Sequence, residues 1–284
     1  MKTYLGCIPC FMKQALVAAR IASPDESMHK KIIDEVAGLI PGIRMDDCPP
    51  EMGRKIHDAV KKISGNTDPY KGLKEKYNKL ALDMYPGLKE KAGKSGDPLF
   101  MAIRIAIAGN VIDFGAQLKF ELDKDVKDAI EKEMSANDYD VFRQKLKEHK
   151  EILYLGDNAG ETVFDRVLIE ELAVNHGKKI IYAVKEKPVI NDAVYEDAVF
   201  AGIDKYAKVI SSGSDAPGTV RERCSRDFLQ VFDRAGFIIS KGQGNYEALS
   251  GGKLPVFYLF KVKCTVLSKS LDVPIGSVIL KYGG

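Results

Sequence analysis

At 284 residues and 45% hydrophobic content the chain has enough apolar material for one large or two small cored domains, which excludes a disordered protein. Its 43 Lys and Arg stand against 40 Asp and Glu, a net charge of +3 with no basic block, so neither nucleic acid nor an anionic membrane is the expected partner. Five cysteines, an odd number, do not make a disulfide framework, and no apolar run suits a signal peptide or a membrane span, so a cytoplasmic protein is expected.

Residues 1–150 read as a helical subdomain. Apolar positions recur every three to four residues near 10–22, 27–39, 51–64, 70–92, 97–118, 124–135 and 138–149, with Pro and Gly between the segments. From residue 151 the texture changes to short apolar runs: EILYLGD (151–157), KKIIYAVK (178–185), KVISSG (208–213), GFIISKGQG (236–244), PVFYLFKV (255–262) and SVILKY (277–282). Strands without clean alternation, separated by helical stretches, imply a parallel sheet covered on both faces. The expected fold is therefore α/β, a Rossmann-like three-layer α/β/α core with a mostly parallel sheet over 151–284, beside the multihelical subdomain. Ligands of such sheets bind outside the carboxyl ends of the strands, which directs attention to the loops there.

After the first run come Gly156, Asp157, Asn158, Ala159, Gly160 and Glu161. A carboxylate and an amide carbonyl are hard oxygen donors suited to Mg²⁺ or Mn²⁺, and Gly160 lets backbone approach closely before a helix; an ordinary N-cap explains the same residues. Asn191 and Asp192 follow the second run, and adjacent parallel strands can bring Asp157, Asn158 and Asp192 around one ion with positions left for water and phosphate. After the third run, Ser211, Ser212 and Ser214 can donate to an anion, with Asp215 as a helix cap. Lys241 and Gly242 at the fourth strand end suggest a phosphate cradle that is not a Walker A loop, and Lys261 and Lys263 stand on what reads as a buried strand. In the helical half, Asn110 and Asp113 lie three apart on an apolar helix, either as a core network or facing a site between the halves. Cys7 and Cys10 form a CxxC that Cys48 or Cys264 can complete as a metal site only in space, and His29, His57, His149 and His176 have no catalytic context.

Taken in order, "CIPC", "GNVIDFG", "GDNAGE", "INDA", "SKGQGNYE" and "KVKC" resemble the damage-control phosphatases, once described as domain of unknown function 89, in the archaeal and bacterial subgroup with an N-terminal CxxC. The resemblance runs from Cys7 to Cys264. It implies a helical part beside an α/β/α core, and metal-dependent hydrolysis of sugar phosphates and damaged phosphometabolites. It also implies Asp157, Asn158 and Asp192 as metal ligands and Lys263 as a phosphate contact. Where a eukaryotic branch carries Arg-Thr-x-Lys, this chain reads Phe260-Lys261-Val262-Lys263, keeping only the last lysine.

The expected reaction is hydrolysis of a small phosphomonoester at one divalent ion (Mn²⁺, Mg²⁺, Co²⁺ or Ni²⁺), with Asn110, Ser212, Lys241, Gly242 and Lys263 as substrate contacts. Water is the favoured nucleophile, oriented by Glu161 or Asp113, and Asp157 is the nucleophile of a covalent alternative. Two rival readings are an S-adenosylmethionine-dependent methyltransferase on a similar sheet and a non-enzymatic metal or redox module using the CxxC.

Overall fold

The computed structural model describes residues 1–111 and 119–284. Helices α1 (Cys7–Ala22), α2 (Glu26–Leu39) and α3 (Pro49–Ser64) pack on one another as an N-terminal bundle. Asp25 caps α2 by accepting the Ser27 N–H, and the prolines that open α3 stand where a helix needs no N–H donor. Two apolar clusters hold the bundle: Phe11, Ala15, Val36, Met52 and Ile56 in one, Ala18, Ala19, Ile32, Val60 and Tyr70 in the other. Then come α4 (Lys71–Gly93), α5 (Pro98–Ala108) and α6 (Lys119–Glu131). Helix α5 has no charged residue except Arg104 and packs against its neighbours on several sides, as an almost wholly apolar helix must.

The remaining elements alternate. They are β1 (Met134–Asn137), α7 (Tyr139–Glu148), β2 (Glu151–Leu155), α8 (Glu161–Glu170), β3 (Lys179–Val184), α9 (Tyr195–Phe200), β4 (Ala207–Ser211), α10 (Arg226–Arg234), β5 (Ile238–Lys241), α11 (Gln243–Leu249), β6 (Val256–Lys261), α12 (Thr265–Leu271) and β7 (Val278–Tyr282). They build one seven-stranded sheet in the order β1-β7-β6-β5-β2-β3-β4. The pairs from β6 through β4 are parallel, β7 is antiparallel to β6, and β1 runs parallel to β7, so the expected mostly parallel sheet is present.

Strand β1 departs from the sequence reading, which runs a helix through residues 134 and 135. It is four residues long, buries only Met134, and pairs with β7 at Val278, so nothing local announces it. The sheet thus takes an edge strand from within the first 150 residues. Both faces of β2 are apolar: Ile152 and Tyr154 join the cluster containing α5 and α8 residues, while Leu153 and Leu155 join that of α10, α11 and α12. From β2 the chain steps outward through β3 to β4, then crosses back to β5 on the other side of β2. That reversal puts the switch point, where sheets of this kind form their ligand crevice, between the carboxyl ends of β2 and β5, with β3 alongside. Among the described residues no helix is long and apolar enough to cross a membrane.

Candidate active site

Two backbone hydrogen bonds stitch the loop after β2 to the loop after β3. The Ala193 N–H donates to Asp157 O and the Ala159 N–H to Asn191 O, each at 2.8 Å, and Asn158 pairs with Asp192 as an antiparallel bridge. Asp157, Asn158 and Asp192 are thereby brought to one place. From the other side the end of β5 closes on them. Gly242 has φ +81°, and a Cβ there would lie 1.9 Å from Asp157 Oδ2, so only glycine lets this turn lie against the carboxylate.

Beneath these donors Glu161, the first residue of α8, is wholly buried and accepts from three side chains. Asn158 Nδ2 donates to its Oε1 at 2.6 Å, Asn110 Nδ2 to the same oxygen at 2.7 Å, and Lys241 Nζ to Oε2 at 3.4 Å. Both amides also donate to Asp157 Oδ2, Asn158 at 2.8 Å and Asn110 at 3.3 Å. With its nitrogen held by two carboxylates, the Asn158 amide turns its oxygen away from them, which is the atom a metal ligand needs. Lys241 is anchored in turn by Asp165 Oδ1 at 2.6 Å, and Asp165 also accepts from Tyr154 at 2.7 Å and Tyr182 at 2.9 Å.

The charge balance is uneven. Asp157, Glu161, Asp165 and Asp192 face the ammonium groups of Lys241 and Lys185, and Lys241 is tied most closely to Asp165. Burial pushes the Asp157 carboxyl well above its ordinary range, with Glu161 and Asp192 adding to the effect and Lys263 and Lys241 opposing it. Burial likewise pushes Asp192 up to about 6, although Lys185 and the Gly218 N–H pull against it. Burial works against the Lys241 ammonium, yet Asp165 and Glu161 outweigh it and its pKa is raised. Asp192 Oδ2 is buried without a hydrogen-bond partner, and the nearest ammonium, Lys185 Nζ, is 3.6 Å away. Buried carboxylates in excess, one with an orphaned oxygen, are what a divalent cation would compensate, and two carboxylates plus an amide suit a partly hydrated hard ion. Among the described residues no three His, Cys, Asp or Glu side chains form a metal cage, so an ion here would rest on Asp157, Asn158, Asp192 and water.

The other expected residues are placed differently. Lys241 is 0% exposed and engaged by two carboxylates, so it stands under the donors and not at the phosphate; its charge is consumed where no solvent reaches it. The Gly242 N–H already donates to Leu259 O, which leaves this glycine the task of making room and not of binding an anion. Ser212 is buried, its Oγ accepting from the Ser214 N–H within its own turn. Lys263 lies beyond the end of β6 and is exposed, not on a buried strand; its N–H donates to Gln243 Oε1 and its charge is felt at Asp157. Asp113 lies outside the described residues. The CxxC forms the first turn of α1, near Cys264, and burial raises both thiol pKa values, the opposite of a reactive thiolate.

Three participants escaped the sequence reading. Asp165 lies one helical turn after Glu161 in "ETVFD", a spacing that puts both on one face and was legible. Lys185 at the end of β3 is buried, its Nζ donating to Gly218 O beside Asp192. Asn78 of α4 accepts from the Gly160 N–H at 2.6 Å and donates to Asp197 at 2.8 Å, fastening the helical half to the Asp157 loop. Its partners are 82 and 119 residues away, and no local pattern marks it.

Comparison with known proteins agrees with this architecture. A protein from Methanocaldococcus jannaschii described as uncharacterized is 39% identical over 284 residues, covering 96% of this chain and 93% of its own. Damage-control phosphatases from Pyrococcus horikoshii and Archaeoglobus fulgidus are 32% and 28% identical, covering 98% and 99% of this chain and 97% and 99% of their own. A crystal structure of a DUF89 family protein from Pyrococcus horikoshii superposes with a TM-score of 0.92 at 31% identity, covering 100% of both chains. The family model of the damage-control phosphatase ARMT1-like domain matches residues 3–279, and the chain therefore belongs to that phosphatase family.

Proposed function

We propose that the protein is a metal-dependent phosphatase that hydrolyses phosphomonoesters of small metabolites, sugar phosphates or damaged phosphometabolites, at one divalent ion held by Asp157, Asn158 and Asp192. The observation that carries this reading is the buried convergence of Asp157 and Asp192, with one carboxylate oxygen unpartnered, beside the exposed Lys263. The names of the Pyrococcus and Archaeoglobus relatives support the reaction class.

A Mn²⁺, Mg²⁺, Co²⁺ or Ni²⁺ ion held by Asp157, Asn158 and Asp192 would supply Lewis-acid stabilisation of the charge on the phosphoryl oxygens. Lys263, exposed and with its charge acting on Asp157, would approach the phosphoryl group from solvent, where its ammonium would offset charge that grows as the bond from phosphorus to the leaving alkoxide breaks. Glu161 has both oxygens engaged, so its role is to orient Asn158 and Asn110 and not to take a proton. Lys241 keeps Glu161 and Asp165 in place beneath it. Water is the nucleophile we favour, because the Asp157 carboxylate is already engaged by the Asn110 and Asn158 amides and would also hold the ion. The methyltransferase alternative gains nothing from a crevice centred on buried aspartates with raised pKa values. We place the reaction in the cytoplasm, on the odd cysteine count of the chain.

The test uses wild type and Asp157→Ala, both stripped with chelator and assayed on an aryl phosphate with each of the four ions, followed by a panel of phosphorylated metabolites under the best ion. Chelator-sensitive activity restored in wild type alone is expected; equal activity in the variant, or indifference to chelator, rules the scheme out.

A further inference from the structure

The loop that carries Asp192 reaches into the helical half. Residues 189–192 make a tight turn closed by the Asp192 N–H donating to Val189 O at 3.0 Å. The second residue of that turn, Ile190, has φ +47°, in the left-handed region where a β-branched side chain crowds its own backbone. Glycine or asparagine would sit there more easily, so isoleucine needs an opposing gain. That gain is visible in its neighbours. Ile190 packs into the cluster of Ala18, Ala19, Ile32, Val60 and Tyr70, and among the described residues it is the one member of that cluster from beyond residue 150.

Two further contacts make the seat directional. Lys61 of α3 donates to Pro188 O, two residues before Ile190, so the bundle grips the loop through backbone as well as side chain. After Ile190, the Asn191 and Ala193 backbone bonds to Ala159 and Asp157 fasten both flanks of Asp192 to the loop after β2. Asp192 Oδ2 has no hydrogen-bond partner, and the carboxylate is otherwise met only by the Gly218 N–H and the more distant Lys185 ammonium, so the path of its own loop does much to set where that oxygen points.

We propose that Ile190 is a positioning residue: seated in the helical bundle, it holds the 189–192 turn in the one conformation that presents Asp192 to the divalent ion. This rests on the reading of Asp192 as a ligand given above. The helical half then helps to position the metal site, and the strained φ at Ile190 is sustained by packing of its half-buried side chain against residues about 120 to 170 positions away in sequence.

The experiment titrates metal-stripped protein with Mn²⁺ by calorimetry and, in parallel, measures phosphatase rate against Mn²⁺ concentration. Ile190→Ala and Ile190→Gly are expected to weaken Mn²⁺ binding about 10-fold or more, with kcat at saturating Mn²⁺ within about twofold of wild type. The glycine variant separates seat from strain, since it frees φ while emptying the seat. Ile190→Leu, which refills the cluster, is expected to restore most of the affinity. Ile32→Val opens a smaller gap, of one methyl-sized group, in the same cluster away from the loop, and is expected to lower the melting temperature while leaving Mn²⁺ affinity unchanged. Wild-type Mn²⁺ affinity in Ile190→Ala and Ile190→Gly, with binding lost in Asp192→Ala, overturns this inference alone. An equal loss of affinity in Ile32→Val overturns it as well, since the effect would then be general loosening. Wild-type affinity in Asp192→Ala overturns the ligand assignment, and this inference with it.

Discussion

The helical bundle and the α/β sheet bury ionisable groups in different company. In the bundle, His57 is held neutral: burial pushes its pKa down to about 3, Lys61 adds to the effect, and its ring lies edge-on to Tyr70 at 5.7 Å. In the crevice, burial pushes Asp157 and Asp192 up, and like-charge neighbours are kept together where separation would be more stable. Burial disfavours the charged form in both places, but the bundle buries one imidazole beside one ammonium, whereas the crevice gathers several carboxyl groups whose shared charge a proton or a bound cation would offset.

The widest separation of the two behaviours should come from Asp157→Asn. It is expected to lower kcat/KM by about 10³-fold or more while melting in chelator at the same or a higher temperature than wild type, because it removes repulsion that the metal-free protein tolerates. A variant that is both destabilised and active breaks the comparison. Next in size, Lys241→Met leaves Glu161 and Asp165 buried without their ammonium and should cost about 3–5 kcal/mol in urea unfolding. The double variant Lys241→Met with Asp165→Asn should recover much of that, and a double variant as unstable as the single one shows that Asp165 is not the anchor.

Acid sharpens the bundle side. A histidine whose folded pKa is depressed contributes stability that is intact above its unfolded value of about 6.5 and is lost as pH falls from there toward 3. Wild type should therefore lose about 1.4 kcal/mol per pH unit more than His57→Phe between roughly pH 6 and 4, read from melts in chelator. Parallel pH profiles place the acid sensitivity elsewhere. The smallest effect is expected at the thiols: Cys7→Ser with Cys10→Ser should leave phosphatase rate within about twofold, since both thiol pKa values are raised and neither cysteine is activated as a thiolate. A tenfold loss would bring the CxxC into the chemistry.

Much of the site was readable where one loop supplied it. Asp157, Asn158 and Glu161 lie within five residues after an apolar run, and Asp192 holds the same place one strand along. Lys241 was legible as a charged residue at a strand end but not as a buried one. Its ammonium is held by Glu161 and Asp165 of α8, with Asp165 fixed in turn by Tyr182 of β3, and a sequence pattern carries no record of which side chains will meet at a buried ammonium. Asn78 and Ile190 were illegible for the same reason: each acts on residues far along the chain.

By itself the sequence determined a helical half followed by alternating strands and helices, because hydrophobic period and turn chemistry are local properties of the backbone. It also determined which strand ends carry oxygen donors. Only the tertiary structure decided the edge pairing of β1 with β7, the stitching of the Asp157 loop to the Asp192 loop, the excess of buried negative charge, and the seating of Ile190 in the bundle. Those depend on non-local contacts, and burial, which sets both pKa and strain, exists only once they have formed.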